Sequence, residues 1–445
     1  MRSSFSPIAW IINAFKFLKC ELATICQTMR AAIPAVGLSF ITLTNPAHGQ
    51  DAAKNTQNDW DTAWSLLTKQ DRPLSAIALM EKMVETKQLP AQTLAQFYAF
   101  TGDERGTNAL MDTGIEINPL PPVKTSGYTQ KPAIDAIAEA ARGRRIVILN
   151  ESHDSQRQRA FALDVVMRLY KLGFSHLGAE TFSQVVAESM KDGAPDLKTG
   201  VYTLDPLLAD LTRQAAQTGY QLFNYEQRPD QRPAGKVDRI ARITAREQAQ
   251  ADNIKKWLDA NPDAKLIIYV GGQHASEIPD QDNVAWMALR LKQMTGLDPL
   301  TIDQTAGTPR GRAELDSPLY QAAFHTNPIS YPIVLVNKAG EWLSREGYDI
   351  VVFHPRLPDS AGRPGWLSMN GYRKSHSLKL PPLPTRTLIR AFVKGEPDGS
   401  IAMDQILVKE NQTAATLMLP IGQYIVMREL ETGELIPIDA ALTIR

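Results

Sequence analysis

The stretch Arg144–Ser155, RRIVILNESHDS, joins a run of four apolar residues to a dense group of polar side chains. Such a run is typical of a strand that is covered on both faces. A carboxamide, a carboxylate, a hydroxyl, an imidazole and a second carboxylate follow directly. We expect Glu151 and His153 to belong to a functional site at the end of this strand. Asp154 or Ser155 is expected to cap the helix that follows.

The alternation of strand and helix patterns continues through residues 133–380. Further apolar runs, among them FSHLGAET, YQLFNYEQ and AKLIIYVGGQH, are separated by amphipathic stretches such as SQRQRAFALDVVMRLYKLG. This order predicts an α/β domain with a mostly parallel sheet and helices on both faces.

Two further regions flank the α/β domain. Residues 50–118 have apolar positions at helical spacing and predict an N-terminal helical layer. The Pro-rich residues 119–132 are interpreted as a linker. Residues 381–445 contain short strands separated by Gly, Pro and Asn turns, which predict a small antiparallel β-sandwich-like domain. No catalytic motif stands out in either flanking region, so packing or docking of a protein partner is the expected role.

Residues 1–49 have the layout of a secretory signal peptide. Basic residues precede the apolar run AAIPAVGLSFITL, and small residues precede a cut expected near Gly49-Gln50. The predicted location of the mature chain is therefore periplasmic or secreted, without a transmembrane segment. The alternative is an uncleaved anchor around IAWIINAF, which is short for a membrane span.

The composition excludes several classes of chemistry for the mature chain. The two cysteines, Cys20 and Cys26, lie in the leader, which excludes a cysteine nucleophile and a thiolate metal site. Lys plus Arg equals Asp plus Glu at 48 each, so no nucleic-acid partner is expected.

Polar residues stand at the ends of several predicted strands. They are Glu151 and His153 after the first strand, Glu180 after LGA, and Glu226 and His274 at the ends of two later strands. Because the carboxyl ends of parallel strands lie along one edge of a sheet, we expect these side chains to meet in one crevice. The alternatives are a structural salt bridge for Glu180 and an ordinary turn for the segment GGQH.

The long helical stretch KVDRIARITAREQAQADNIKKWLDANP carries charged residues next to its apolar face. Glu247 interrupts the apolar stripe, and Arg246 lies at its margin. We expect Arg246 to hold Glu151 or Glu180 in the charged form. His354 also ends a predicted strand, but its sequence neighbours offer no convincing partner.

Four motifs, in the order ILNESHD, LGAET, AREQAQADNI and IIYVGGQHASE, resemble the superfamily that joins erythromycin esterase-like proteins, haem-uptake ChaN-like proteins and TIKI/TraB-type metalloproteases. The resemblance covers roughly residues 133–356. The first family motif, G-E-x-H, is matched by Glu151 and His153, with Asn150 in place of Gly. The other matches are the acidic strand end Glu180, the helix residues Arg246 and Asn253, and the final G-x-x-H at Gly271 and His274.

The branches of this superfamily imply different functions. The esterase-like branch implies hydrolysis by a water that His153 activates, with Glu151, Glu180 and Arg246 tuning and positioning it. The metalloprotease branch implies a divalent metal ion held by His153, Glu180 and His274. The ChaN-like branch implies haem bound in a surface pocket without hydrolysis.

We therefore expect an exported hydrolase that cleaves an ester- or amide-like bond in a small-molecule or peptide substrate, with or without a divalent metal ion. The residues expected to carry the reaction are His153, Glu151, Glu180, Arg246 and His274. The first alternative is a non-catalytic haem- or metal-binding periplasmic protein. The second is a degenerate member of the superfamily that acts as a scaffold through its flanking regions.

Overall fold

A computed structural model describes residues 46–117, 123–324 and 329–445. Residues 1–45, which hold most of the expected leader, lie outside these ranges, as do residues 118–122 at the start of the expected linker. The described helices are α1 Pro46–Gln70, α2 Pro73–Glu85, α3 Ala91–Phe100, α4 Glu104–Met111, α5 Ala133–Ala140, α6 Gln156–Tyr170, α7 Val186–Ser189, α8 Pro206–Thr218, α9 Arg239–Ala260, α10 Met287–Thr295 and α11 Pro318–Phe324.

The described strands are β1 Tyr128–Pro132, β2 Ile146–Glu151, β3 Phe174–Ala179, β4 Gln221–Phe223, β5 Lys265–Gly271, β6 Leu300–Asp303, β7 Ile333–Asn337, β8 Ile350–Val351, β9 Lys374–Lys379, β10 Thr387–Val393, β11 Asp404–Val408, β12 Ala414–Leu419, β13 Gly422–Leu430 and β14 Leu435–Ile444.

The central sheet is parallel and has helices on both faces, which confirms the predicted fold class. Its strand order is β4-β3-β5-β2-β6-β8. Alternate residues of β2 serve two different cores. Val147 and Leu149 belong to the core that contains apolar residues of α6 and α8, whereas Ile146 and Ile148 belong to the core that contains those of α9 and α10. The apolar run that opens the signature stretch is therefore a strand buried on both faces.

The strand order creates a crevice at the carboxyl ends of β2, β3 and β5. The chain passes from β2 to β3, and β5 is later inserted between these two strands. Glu151 at the end of β2 is level with Gly271 at the end of β5. At such a reversal of strand order, the segments that follow neighbouring strands run in opposite directions and leave a gap at the carboxyl ends of the strands. Open α/β folds bind their ligands in this gap.

The N-terminal helical layer contacts both other regions, through the Glu104–Arg157 ion pair to α6 and the Glu81–Arg386 ion pair to the C-terminal domain. Trp60 and Trp64 of α1 stack on each other, and both contact the edge of Phe97 in α3. Residues 128–132, at the end of the segment interpreted as a linker, are a paired strand. They form β1, which pairs antiparallel with β7, because the backbone of this Pro-flanked segment finds a partner strand far away in sequence.

The C-terminal domain is an antiparallel β-sandwich-like structure, as predicted. One sheet has the order β11-β10-β13-β14, and the other pairs β9 with β12. Apolar residues of both sheets share one core. The first strand of the domain, β9, starts at Lys374, ahead of the expected boundary at residue 381, and Tyr372 and Arg373 directly before it are counted with the domain. Within the described part of the chain, every helix is too short or too polar to cross a bilayer.

Candidate active site

Side chains from the ends of β2, β3 and β5 surround a small cleft. The cleft has an empty volume of about 170 Å³, and its lining includes Glu151, His153, Glu180, Thr181, Tyr202 and Tyr269. The strand order explains this convergence, because β3, β5 and β2 are neighbours whose carboxyl ends lie side by side. The crevice expected from the sequence is therefore present, and it contains Glu151, His153 and Glu180.

Glu151 is a buried carboxylate held by a cation and a phenol. Arg159 of α6 donates from Nε and Nη2 to the two carboxylate oxygens, each at 2.8 Å, and the hydroxyl of Tyr269 donates at 2.6 Å. Burial by itself raises the pKa of Glu151, but the Arg159 guanidinium and the His153 ring outweigh it and lower the pKa to about 2. Glu151 is therefore ionised at neutral pH.

His153 links Glu151 to the cleft. Its Nδ1 lies 2.9 Å from Oε1 of Glu151. Because an ionised carboxylate can only accept a hydrogen bond, Nδ1 carries the proton and Nε2 is the basic nitrogen of the neutral ring. The ring stacks on Tyr202 with centroids 4.0 Å apart, and Nε2 lies 4.0 Å from Oε2 of Glu180. This nitrogen therefore faces the second carboxylate across the cleft.

Gly271 allows the imidazole of His153 to lie directly against β5. A methyl group at this position would come within 2.4 Å of Nε2 and 2.3 Å of Cε1 of His153. Such distances are far below van der Waals contact. The first glycine of GGQH is therefore required for a close approach to His153, and the segment is more than an ordinary turn.

Glu180 is anchored from the backbone of β5 and from α9. Its Oε2 accepts from the amide of Gly271 at 2.6 Å, and its Oε1 accepts from Nη2 of Arg246. The same guanidinium forms a bidentate pair with Glu226, at 2.9 and 2.6 Å, and Gln250 also donates to Glu226. Arg246 thus pairs with Glu180, as one of the two expected partners, and the salt bridge leaves the Glu180 carboxylate on the cleft lining.

His274 lies behind Arg246. Its Nε2 is 2.8 Å from Nη1 of Arg246, and its Nδ1 is 2.7 Å from Oε1 of Glu247. Because a guanidinium can only donate, Nε2 is the acceptor and the ring proton lies on Nδ1. Neither His274 nor Arg246 is among the described residues that line the cleft. Arg246 contacts the cleft lining through its bond to Glu180, and His274 lies beyond Arg246.

A divalent metal ion held by His153, Glu180 and His274 does not fit this arrangement. Nε2 of His274 is 3.8 Å from Glu180, but its lone pair already accepts from Arg246. A cation bound there would also meet the positive guanidinium. Among the described residues, no group of three or more His, Cys, Asp and Glu side chains is arranged to hold a metal ion.

Asn150, which stands where the motif of the resembled superfamily has glycine, is a fully buried strand residue. Its amide nitrogen donates to Asp303 at 2.8 Å, and its amide oxygen accepts from the backbone of Gln304 at 2.8 Å. The residue lies inside β2 and has no left-handed backbone conformation. Asn150 therefore joins the ends of β2 and β6.

The expected helix cap forms differently, and His354 lies outside the site. Ser155 occupies the N-cap position of α6, but its side chain makes no capping hydrogen bond, and Asp154 instead accepts from the hydroxyl of Ser152. His354 is buried away from the cleft, next to Gln304 and the edge of Phe161. Burial lowers the pKa of His354 to about 3, so this ring is neutral and structural.

Sequence reasoning missed Arg159, Tyr202 and Tyr269. Arg159 lies in the first turns of α6, where a cation opposes the helix dipole, and this unfavourable position is a readable sign of a buried anionic partner. Tyr269 places a hydroxyl inside an apolar strand, which also requires a partner. No local feature of the sequence marks Tyr202. It stacks on His153 because the long segment after β3 folds back to the end of that strand.

A scan against models of known families finds no match, and a search of curated proteins finds none either. Solved structures similar to this chain include the type III effector HopBA1, with 15% identity over 54% of this chain and 99% of that chain, at a TM-score of 0.33. Others are RRSP, a MARTX toxin effector domain from Vibrio vulnificus CMCP6 (15% identity, 52% of this chain, 40% of that chain, TM-score 0.30), and the C-terminal region of Pasteurella multocida toxin, described with a thiol-protease-like catalytic triad (10%, 67%, 46%, TM-score 0.31). At such TM-scores these likenesses say nothing about what this chain does.

Proposed function

We propose that this chain hydrolyses an ester- or amide-like bond, with His153 as the general base that activates water. The observation that carries the proposal is the contact between Nδ1 of His153 and the ionised Glu151, which leaves Nε2 as the basic nitrogen at the cleft. A neutral imidazole positioned in this way suits proton transfer near neutral pH.

The reaction follows from the positions of the two carboxylates. Nε2 of His153 and Oε2 of Glu180 are 4.0 Å apart. A water on the cleft side of this pair can bridge the two atoms and donate one hydrogen bond to each. As its oxygen attacks the substrate carbonyl, the proton passes to Nε2, and Glu151 stabilises the resulting imidazolium. The same proton then goes to the leaving oxygen or nitrogen when the ester or amide bond breaks.

The proposal agrees with the sequence resemblance to the erythromycin esterase-like branch, in which the motif Glu and His correspond to Glu151 and His153. Haem binding is less well supported, because the carboxylates of Glu151 and Glu180 line the cleft and would face the negatively charged propionates of a haem. A purely structural role accounts for the Glu151–Arg159 ion pair but gives no reason for Nε2 of His153 to face Glu180 across the cleft.

The test is turnover of a panel of p-nitrophenyl esters and p-nitroanilides by the purified chain, its His153→Ala variant and the matched control His376→Ala in β9. We expect wild type and control to hydrolyse the same substrates, and His153→Ala to lose about 10²- to 10⁴-fold in kcat/KM. Dialysis against EDTA is expected to leave the rate unchanged. Equal rates for wild type and His153→Ala, or no turnover above that of denatured protein, contradict the proposal.

A further inference from the structure

One wall of the cleft is formed by residues 182–218, called here the wall segment. It leaves the sheet just after Thr181 and returns to the same point, where Phe182 bridges to Gly200 and the amide of Tyr202 donates to Oγ1 of Thr181 at 2.7 Å. A Cβ atom on Gly200 would lie 2.2 Å from the carbonyl oxygen of Thr181, so glycine is required for this closure. The loop closure places Tyr202 beside the end of β3.

The wall segment supplies two contacts to the Glu151–His153 pair. Tyr202 stacks on the His153 ring, and Asp205 lies 3.3 Å from Nη1 of Arg159, the cation that holds Glu151. Asp205 also caps α8 by accepting from the amides of Leu207 and Leu208. A shift of α8 therefore moves the Asp205 carboxylate that lies next to Arg159. A shift of Tyr202 moves the aromatic ring on which the His153 imidazole stacks.

The opposite side of the wall segment is bound to the C-terminal domain. Arg213 of α8 forms a bidentate pair with Glu396, with both distances 2.7 Å. Asp210 of α8 pairs with Arg373, and both side chains are fully buried.

Two backbone contacts and one side-chain contact extend this attachment. The amide of Ile401 donates to the carbonyl of Pro195 at 2.9 Å, and Asp196 bridges to Ser400. The hydroxyl of Tyr372 donates to Asp210 at 3.1 Å. The wall segment is therefore held along both its loop and its helix by the β domain.

We propose that the C-terminal β domain positions the active-site wall, so that Glu396 and Tyr372 are positioning residues for Tyr202 and His153. Breaking a buried ion pair costs more than losing an aromatic stacking contact, so the wall follows the β domain. This inference rests on the proposed function for its catalytic meaning. It gives the C-terminal β domain a positioning role, whereas the sequence alone predicted only packing or docking of a protein partner for this domain.

The chain offers a matched control on the same domain. Arg386 forms a bidentate pair with Glu81 of α2, at 2.6 and 2.5 Å, and so ties the β domain to the N-terminal helical layer. This ion pair has the same chemistry as Arg213–Glu396 but makes no contact with the wall segment. Glu81→Gln therefore perturbs domain attachment without perturbing the wall.

The experiment compares Glu396→Gln and Tyr372→Phe with Glu81→Gln. The first readout is steady-state kinetics on a substrate found in the panel. The second is the titration midpoint of the His153 ring by NMR of histidine-labelled protein, with the signal assigned by its loss in His153→Ala. We expect the two wall variants to raise KM about threefold or more and to shift the His153 midpoint, while Glu81→Gln changes neither.

The outcomes separate the two proposals. If all three variants behave alike, or the wall variants leave both readouts at wild-type values, the positioning role is wrong. Should wild type hydrolyse nothing, the proposed function fails, but the NMR titration still decides whether the β domain positions His153. If Glu396→Gln does not fold, Tyr372→Phe, which removes only one hydroxyl, carries the test.

Discussion

Glu151 and Glu180 occupy equivalent places in the fold but have different surroundings. Each stands at the end of a parallel strand, and each is paired with an arginine from a helix. Glu151 receives two bonds from Arg159, one from Tyr269 and one from His153. Glu180 receives the backbone amide of Gly271 and one bond from Arg246, which also binds Glu226 and His274.

The difference shows how one residue type at one kind of position serves two purposes. The carboxylate oxygens of Glu151 bind the Arg159 guanidinium and orient the His153 imidazole. Glu151 therefore influences the cleft through His153. Glu180 shares its arginine with a second carboxylate and faces Nε2 of His153 across 4.0 Å. We therefore expect Glu151 to matter for folding as well as activity, and Glu180 mainly for activity.

The largest expected difference is in stability between Glu151→Gln and Glu180→Gln. Glu151→Gln removes the carboxylate that Arg159 contacts most closely and leaves Asp205, at 3.3 Å, as the described anion beside it, so it is expected to cost about 3–5 kcal/mol of unfolding free energy. Glu180→Gln costs less, because the bidentate pair with Glu226 still neutralises Arg246. Urea unfolding at neutral pH measures both values, and both variants are expected to lose hydrolysis. Equal stability losses contradict the contrast.

Acid should remove the stability advantage that Glu151 provides. The folded-state pKa of about 2 lies below the ordinary 4.5, so ionised Glu151 stabilises the fold above pH 4.5, and this contribution is lost as the pH falls toward 2. The gap in unfolding free energy between wild type and Glu151→Gln is therefore expected to be constant near neutral pH and to narrow in acid. Urea titrations at a series of pH values measure it, and a gap that persists unchanged to about pH 3 contradicts the assignment.

Gly271→Ala tests the close approach between β5 and His153. The new methyl group overlaps the imidazole, so the ring must leave its position between Glu151 and Glu180. Overpacking of this kind costs about 1–3 kcal/mol, and we expect a loss of roughly tenfold or more in kcat/KM. The matched control is Gly143→Ala, where an added methyl group meets no atom within 4 Å. If the two variants have the same kcat/KM, Gly271 does not position His153.

The smallest effect is expected for Tyr269→Phe. It removes the 2.6 Å bond to Glu151, while both bonds from Arg159 remain, so a loss of about 1.5 kcal/mol in unfolding free energy is expected. Tyr225→Phe is the comparison, because its hydroxyl donates at 2.9 Å to the neutral carbonyl of Tyr269. A bond to a neutral group is weaker, so its loss should cost less. A larger loss for Tyr225→Phe would reverse this ranking.

Much of the site could be predicted because its residues follow directly from strand ends. The strand patterns around Glu151, Glu180 and His274 are strong, and parallel strands bring their carboxyl ends together without further information. Arg246 could be identified from its position on α9. The metal site could not be judged, because whether Nε2 of His274 faces a cleft or a guanidinium depends on side-chain directions that spacing does not reveal.

The amino-acid sequence by itself determined the α/β architecture, the helical and β-sandwich-like flanks, and the edge of the sheet where Glu151, His153 and Glu180 meet, because strand and helix periods are local properties of the chain. Only the tertiary structure decided the partners. Arg159 binds Glu151, Arg246 separates His274 from the cleft, and the wall segment brings Tyr202 to His153 while the β domain holds it from behind. These contacts join residues from separate elements, and they depend on how the elements pack.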